Sequence, residues 1–155
     1  MTRFLIVASR FNRWITERLE QGARAEFARR GVAPAAVETA WVPGSFEIPL
    51  AARAAAATGR YAGVACVGAI LKGDTSHDRH IAEACVRGIG EAGTATGIPV
   101  TLGVITADTF EQAEARCRTD GGRNLGTDAA GHGLHGTRIN HRNSFRPREG
   151  IVRST

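Results

Sequence analysis

The chain has 155 residues, 43% of them hydrophobic, and a formal charge of +5, a composition that supports one domain with a real core and excludes a disordered or disulfide-stapled mini-protein. No apolar run is long enough to cross a bilayer, and Met1 leads straight into the strand-like Phe4-Leu5-Ile6-Val7-Ala8 with no cleavable leader, so a cytoplasmic protein without membrane association is expected. Arg138, Arg142, Arg146, Arg148 and Arg153 against Glu149 put +4 of the charge in residues 138–155 and leave +1 for residues 1–137, so polyanion binding would belong to the tail and nucleic acid is not an expected partner.

In chain order, residues 4–9 read as a buried strand. Residues 12–30 read as an amphipathic helix with Ile15, Leu19, Ala23 and Phe27 at helical spacing, ended by Gly31. Residues 37–42 form a second strand. Residues 45–57 carry an Ala-rich helical pattern in which Pro49 is tolerable only within the first turn. Residues 61–71 are a third strand, apolar enough to be covered on both faces. A helix follows over 77–91, with Ile81, Cys85 and Ile89 on one face, then a strand over 99–106 and a helix over 109–117 capped by Thr109 or Asp108. Residues 123–130 can start a last helix, which Gly131, Gly133 and Gly136 should weaken, and residues 138–155 read as a flexible basic tail.

Strands alternating with helices across short Gly or Pro turns require a parallel sheet with helices on both faces. Cys66, Cys85 and Cys117 are odd in number and far apart, which fits buried small hydrophobes in a reducing compartment. His132, His135 and His141 lack carboxylate or cysteine neighbours, so no metal site is expected.

Ligands of an open parallel sheet collect outside the carboxyl ends of its strands. There the chain carries Ser9-Arg10-Phe11-Asn12, then Val42-Pro43-Gly44-Ser45-Phe46-Glu47, then Ala69-Ile70-Leu71-Lys72-Gly73-Asp74-Thr75-Ser76-His77. Gly73 allows a ligand close to the backbone, Thr75 and the following helix start offer donors that suit a phosphate, and His77 stands near enough to move a proton. Each feature also has a plain structural reading: a turn at Gly73, a cap at Thr75 or Ser76, an acidic first-turn residue at Glu47, a core aromatic at Phe46, a helix-end charge at Arg116.

Taken together, these motifs resemble the lumazine synthase family in order and spacing. The resemblance rests on Arg10-Phe11-Asn12 with Ile15-Thr16, on Trp41-Val42-Pro43-Gly44-Ser45-Phe46-Glu47-Ile48-Pro49, on Gly73-Asp74-Thr75-Ser76-His77, and on Gly97-Ile98-Pro99-Val100 with Gly103-Val104-Ile105-Thr106 and Glu111-Gln112-Ala113. It implies a flavodoxin-like three-layer α/β sandwich with a four-stranded parallel sheet over residues 1–137, followed by the tail 138–155. It also implies a transferase of riboflavin biosynthesis that condenses 5-amino-6-(D-ribitylamino)uracil with 3,4-dihydroxy-2-butanone 4-phosphate to 6,7-dimethyl-8-ribityllumazine without a cofactor, or else a non-catalytic lumazine- or flavin-binding homologue.

Carried over by position, His77 would transfer protons. Phe11 would stack on the pyrimidine, Ser45, Phe46 and Glu47 would hold the ribityl chain and amine, and Ala69, Ile70 and Leu71 would present backbone groups to the ring. Asp74 and Thr75 would hold the phosphate. Leu102 and Arg116 would reach into an adjacent subunit's site, Arg116 pairing with the phosphate. The start of the chain near its first core strand and a long 118–123 connection favour a homopentamer over a sixty-subunit shell. Three places depart from the family pattern: Leu102 stands where an aromatic is common, Leu125 where Asn-Lys-Gly is frequent, a cation's role that Arg123 could take over, and Gly131-His132-Gly133-Leu134-His135-Gly136 with the basic tail where the closing helix usually ends in an Ala-Leu-Glu-Met-like stretch.

Overall fold

The computed structural model describes residues 1–142, with side chains through residue 136. Strands β1 (Phe4–Ser9), β2 (Val37–Val42), β3 (Gly63–Leu71) and β4 (Val100–Ala107) make one all-parallel sheet in the order β2-β1-β3-β4. Every residue of β1 is buried, as a central parallel strand requires.

Side chains alternate between two cores. Phe4, Ile6, Ala8, Ala65, Val67 and Ala69 face one layer, where α1 (Arg13–Arg29) supplies Ile15, Leu19, Ala23 and Phe27 and α5 (Leu125–Arg142) supplies Ala129 and Ala130. Leu5, Val7, Val64, Cys66 and Ile70 face the other, against Ile48, Ala52 and Ala56 of α2 (Ile48–Ala57) and Cys85 and Ile89 of α3 (His77–Thr96). The arrangement is the expected three-layer α/β sandwich. All three cysteines are free and buried in it.

Several element bounds differ from the sequence expectation, each for a local reason. Asn12 lies outside α1 in the left-handed region at φ 55°. The segment from Ser45 opens with a short 3-10 turn (Ser45–Glu47) before α2, and Pro49 sits in the first helical turn, where its missing amide costs nothing. Helix α3 continues past 91 to Thr96 because Ala92 is fully buried, and Gly97 ends it at φ 71°. Helix α4 (Phe110–Glu114) is shorter than expected, while Thr109 does cap it, its Oγ1 accepting from the Gln112 amide at 3.2 Å.

The largest correction is at the end of the fold. Helix α5 runs unbroken through Gly131, Gly133 and Gly136 and across the boundary expected at residue 137; the remainder of the expected tail, 143–155, lies outside the described residues. Packing outweighs glycine's poor propensity here. Gly131 and Gly133 are buried, and a Cβ at Gly136 would stand 2.8 Å from Pro99 Cγ. The same close fit recurs where α5 begins: a Cβ at Gly126 would come within 1.8 Å of the Leu19 carbonyl oxygen.

Candidate functional site

The sheet topology gathers the carboxyl ends of β1, β2 and β3, and hydrogen bonds stitch their loops together. The Arg10 amide donates to the Val42 carbonyl at 2.8 Å and the Phe11 amide to the Pro43 carbonyl at 3.0 Å, tying the first loop to the second. Asn12 ties it to the third, its Nδ2 donating to the Ala69 carbonyl at 2.9 Å. The sequence offered this amide as a ligand group, whereas the fold spends it on fixing the left-handed turn between β1 and α1.

On that platform Phe11 and Phe46 project into solvent, 72% and 61% exposed. The core alternative for Phe46 is thereby removed. Ser45 is buried, and Glu47 is half-buried with its carboxylate accepting from the Gly44 amide at 2.9 Å, so one of its oxygens holds the turn. Ala69 and Ile70 are buried and Leu71 half-buried at the end of β3.

The third loop is exposed from Lys72 to His77. Thr75 Oγ1 accepts from the His77 amide at 3.3 Å in a local turn, while the cap position itself is Ser76, which makes no side-chain capping bond. Among the described residues, the amides of Asp74, Thr75 and Ser76 donate to no protein acceptor. These three successive unpaired N–H groups stand ahead of the 20-residue helix α3. Asp74 and Thr75 line a cavity of about 740 Å³ together with Ile70, Lys72, Arg79, Thr106 and Gln112. His77 is exposed beside this cavity and does not line it.

Arg116 lies elsewhere. It lines a second cavity of about 440 Å³ with Arg123, Val104, Ile105, Leu125 and again Thr106 and Gln112. Leu102 is 43% exposed farther down β4, opposite Cys66. Within one chain the loops after β1, β2 and β3 carry Phe11, Ser45, Phe46, Glu47 and the 69–77 segment, while Arg116 lines a cavity that adjoins the first through Thr106 and Gln112 and Leu102 lines neither. His80, His132 and His135 are exposed, and no cluster of three His, Cys, Asp or Glu among the described residues is arranged to hold a metal ion.

Sequence reasoning passed over one residue that holds the loop between Arg116 and Arg123 in place. Asn124 is 5% exposed, its Nδ2 donating to the carbonyls of Arg18 and Arg118 at 3.1 Å each and its Oδ1 accepting from the Gly126 and Thr127 amides at 2.9 and 3.2 Å. It caps α5 and pins to α1 the loop that carries Arg116 and Arg123. The available signal was an Asn immediately before the first apolar residue of a helix.

No described helix is long and apolar enough to cross a membrane. Residues 1–138 of the 155 match the family model described as 6,7-dimethyl-8-ribityllumazine synthase; with the parallel sandwich and the strand-end loops, this puts the chain in the lumazine synthase family, transferase-type enzymes of riboflavin biosynthesis.

Proposed function

We propose that the protein condenses 5-amino-6-(D-ribitylamino)uracil with 3,4-dihydroxy-2-butanone 4-phosphate, giving 6,7-dimethyl-8-ribityllumazine, phosphate and water, the penultimate step of riboflavin formation. The observation that carries the reading is the run of unpaired Asp74, Thr75 and Ser76 amides next to the exposed His77. An anion held by those amides and by the α3 N-terminus puts the carbon skeleton attached to it within reach of one titratable imidazole.

The chemistry needs little else. Two substrates are held together, the uracil amine adds to the ketone and loses water as an imine, phosphate leaves, and ring closure expels the second water. Each step moves protons, which is the role assigned to His77, and none requires a cofactor. Phe11 and Phe46 offer the apolar faces that a pyrimidine would cover, while Ser45 and Glu47 offer polar groups to the ribityl chain and amine.

The working unit in this reading is a homopentamer whose sites lie between adjacent subunits. That Arg116 lines a different cavity from Asp74 and Thr75 within one chain supports it, as does the exposure of Phe11, Phe46, Leu50 and Leu102. Arg116 and Arg123 would meet the phosphate bound by the neighbour's Asp74 and Thr75.

His77→Ala should slow condensation by roughly ten- to a thousandfold while light scattering still reports the unmodified protein's pentamer mass. Unchanged turnover would remove His77 from the mechanism, and a monomer of full activity would remove the shared site. Retained flavin or lumazine without turnover in the unmodified chain would favour the binding-protein alternative.

A further inference from the structure

One polar group beside the candidate site has no partner. Ser9 is 0% exposed, and its Oγ is the one buried side-chain polar atom among the described residues without a hydrogen bond. Such a group is costly to bury, and the exceptions in folded proteins are concentrated where a ligand or a moving partner completes them.

Its surroundings identify the partner. Ser9 ends β1 on the face shared with Leu5 and Val7, the side covered by α2 and α3. Next to it in the sheet, one step past the Ala8–Val67 pair, lies Gly68 of β3. A Cβ on Gly68 would stand 2.7 Å from Ser9 Oγ, 2.9 Å from Ser45 Oγ and 3.1 Å from Ile48 Cδ1. Two serine hydroxyls from different loops thus crowd onto one bare Cα, and the absence of a side chain at Gly68 is what lets them approach. Of the three nearest atoms the third is apolar, so the polar side chain that meets Ser9 on this spot is Ser45, which itself makes no side-chain hydrogen bond among the described residues.

We infer that Ser9 is a positioning residue for Ser45: its buried hydroxyl turns to hydrogen-bond Ser45 Oγ over Gly68 and aims the Ser45 hydroxyl at a hydroxyl of a bound polyol chain. This rests on the reading that Ser45 holds the ribityl chain. In the free protein the Ser9 hydroxyl is unsatisfied; with a polyol engaged on Ser45, the two serines and the ligand hydroxyl form one chain of donors and acceptors. Ser9 touches no substrate and moves no proton in the reaction.

The test is a fluorescence titration of the assembled protein with 6,7-dimethyl-8-ribityllumazine and with 6,7,8-trimethyllumazine, which keeps the ring and lacks the polyol. Ser9→Ala should weaken the ribityl ligand about three- to tenfold, the range of one hydrogen bond. It should leave the trimethyl ligand unaffected and keep or raise Tm. Ser45→Ala should weaken the ribityl ligand as well, and the double variant should be no weaker than Ser45→Ala alone, because the two residues act as a unit.

A Ser9→Ala protein that binds the ribityl ligand normally while Ser45→Ala does not would overturn the positioning role and leave the Ser45 assignment standing. Equal loss for both ligands, or a lower Tm, would make Ser9 a packing residue and overturn it too. Full affinity in Ser45→Ala would refute the assignment of Ser45 to the ribityl chain, and the inference with it.

Discussion

Asn124→Ala tests whether the loop bearing Arg116 is held as described. The substitution removes four hydrogen bonds from a side chain that is 5% exposed. The Arg18 carbonyl lies inside α1 and loses only a second donor, so its share is small. Loss of the α5 cap costs about 1 kcal/mol. The Gly126 amide, in a buried bond to Asn124 Oδ1, is left without an acceptor, at about 1 to 3 kcal/mol. The expected total is about 3 kcal/mol, or roughly 6 to 12 °C in Tm for a domain of this size. Asn124→Asp keeps both acceptor contacts and gains a favourable charge at a helix N-terminus, but turns a carboxylate oxygen toward the Arg18 and Arg118 carbonyls in a nearly buried site. It should therefore fail to rescue the fold and be about as unstable as the Ala variant. Thermal unfolding at one fixed subunit concentration decides this, since assembly otherwise shifts Tm by mass action. An Ala variant within about 2 °C of the unmodified protein, or an Asp variant as stable as the unmodified protein, would refute the account of how Asn124 holds the loop.

Arg116→Ala should raise KM for the phosphate-bearing substrate roughly ten- to a hundredfold, the worth of a charge-assisted hydrogen bond; an effect confined to the uracil substrate would contradict its role. Glu26, 6% exposed, has its carboxyl held below the ordinary range chiefly by the hydrogen bond from Arg29, with Arg30 adding to it against the opposing effect of burial. A depressed folded value means that this stabilisation is complete above the unfolded carboxyl range near pH 4.3 and vanishes as pH falls through the folded value. Urea midpoints should accordingly drop less steeply on acidification in Glu26→Gln, and parallel curves would dismiss the contribution. Burial pushes the Cys85 thiol up to about 11 and raises Cys66 and Cys117 as well. Thiol reagent at about pH 8 should find none of the three until the protein unfolds, and rapid reaction of even one would show its site to be open.

Periodicity made the layers legible. Ile15, Leu19, Ala23 and Phe27 at helical spacing, and fully apolar strands such as Phe4-Leu5-Ile6-Val7-Ala8, can be satisfied only by burial against one another, and the structure buries them so. What stayed illegible depends on contacts between distant segments. Helix α5 survives three glycines through its packing on α1 and the sheet, and at one of them, Gly136, close approach itself excludes a side chain: a Cβ there would stand 2.8 Å from Pro99 Cγ. Ser9 read as one more strand residue, since nothing local says that Gly68 and Ser45 converge on it. The strand-end loops were legible as motifs, while the unpaired amides at 74–76 and the placement of Arg116 in a second, adjoining cavity are matters of geometry.

The most direct test mixes the unmodified protein with 5-amino-6-(D-ribitylamino)uracil and 3,4-dihydroxy-2-butanone 4-phosphate and follows lumazine absorbance and released phosphate together. The expected result is equimolar lumazine and phosphate at a rate well above the uncatalysed mixture and proportional to protein. A rate indistinguishable from the protein-free mixture, with both substrates shown to be intact, would contradict the proposed function.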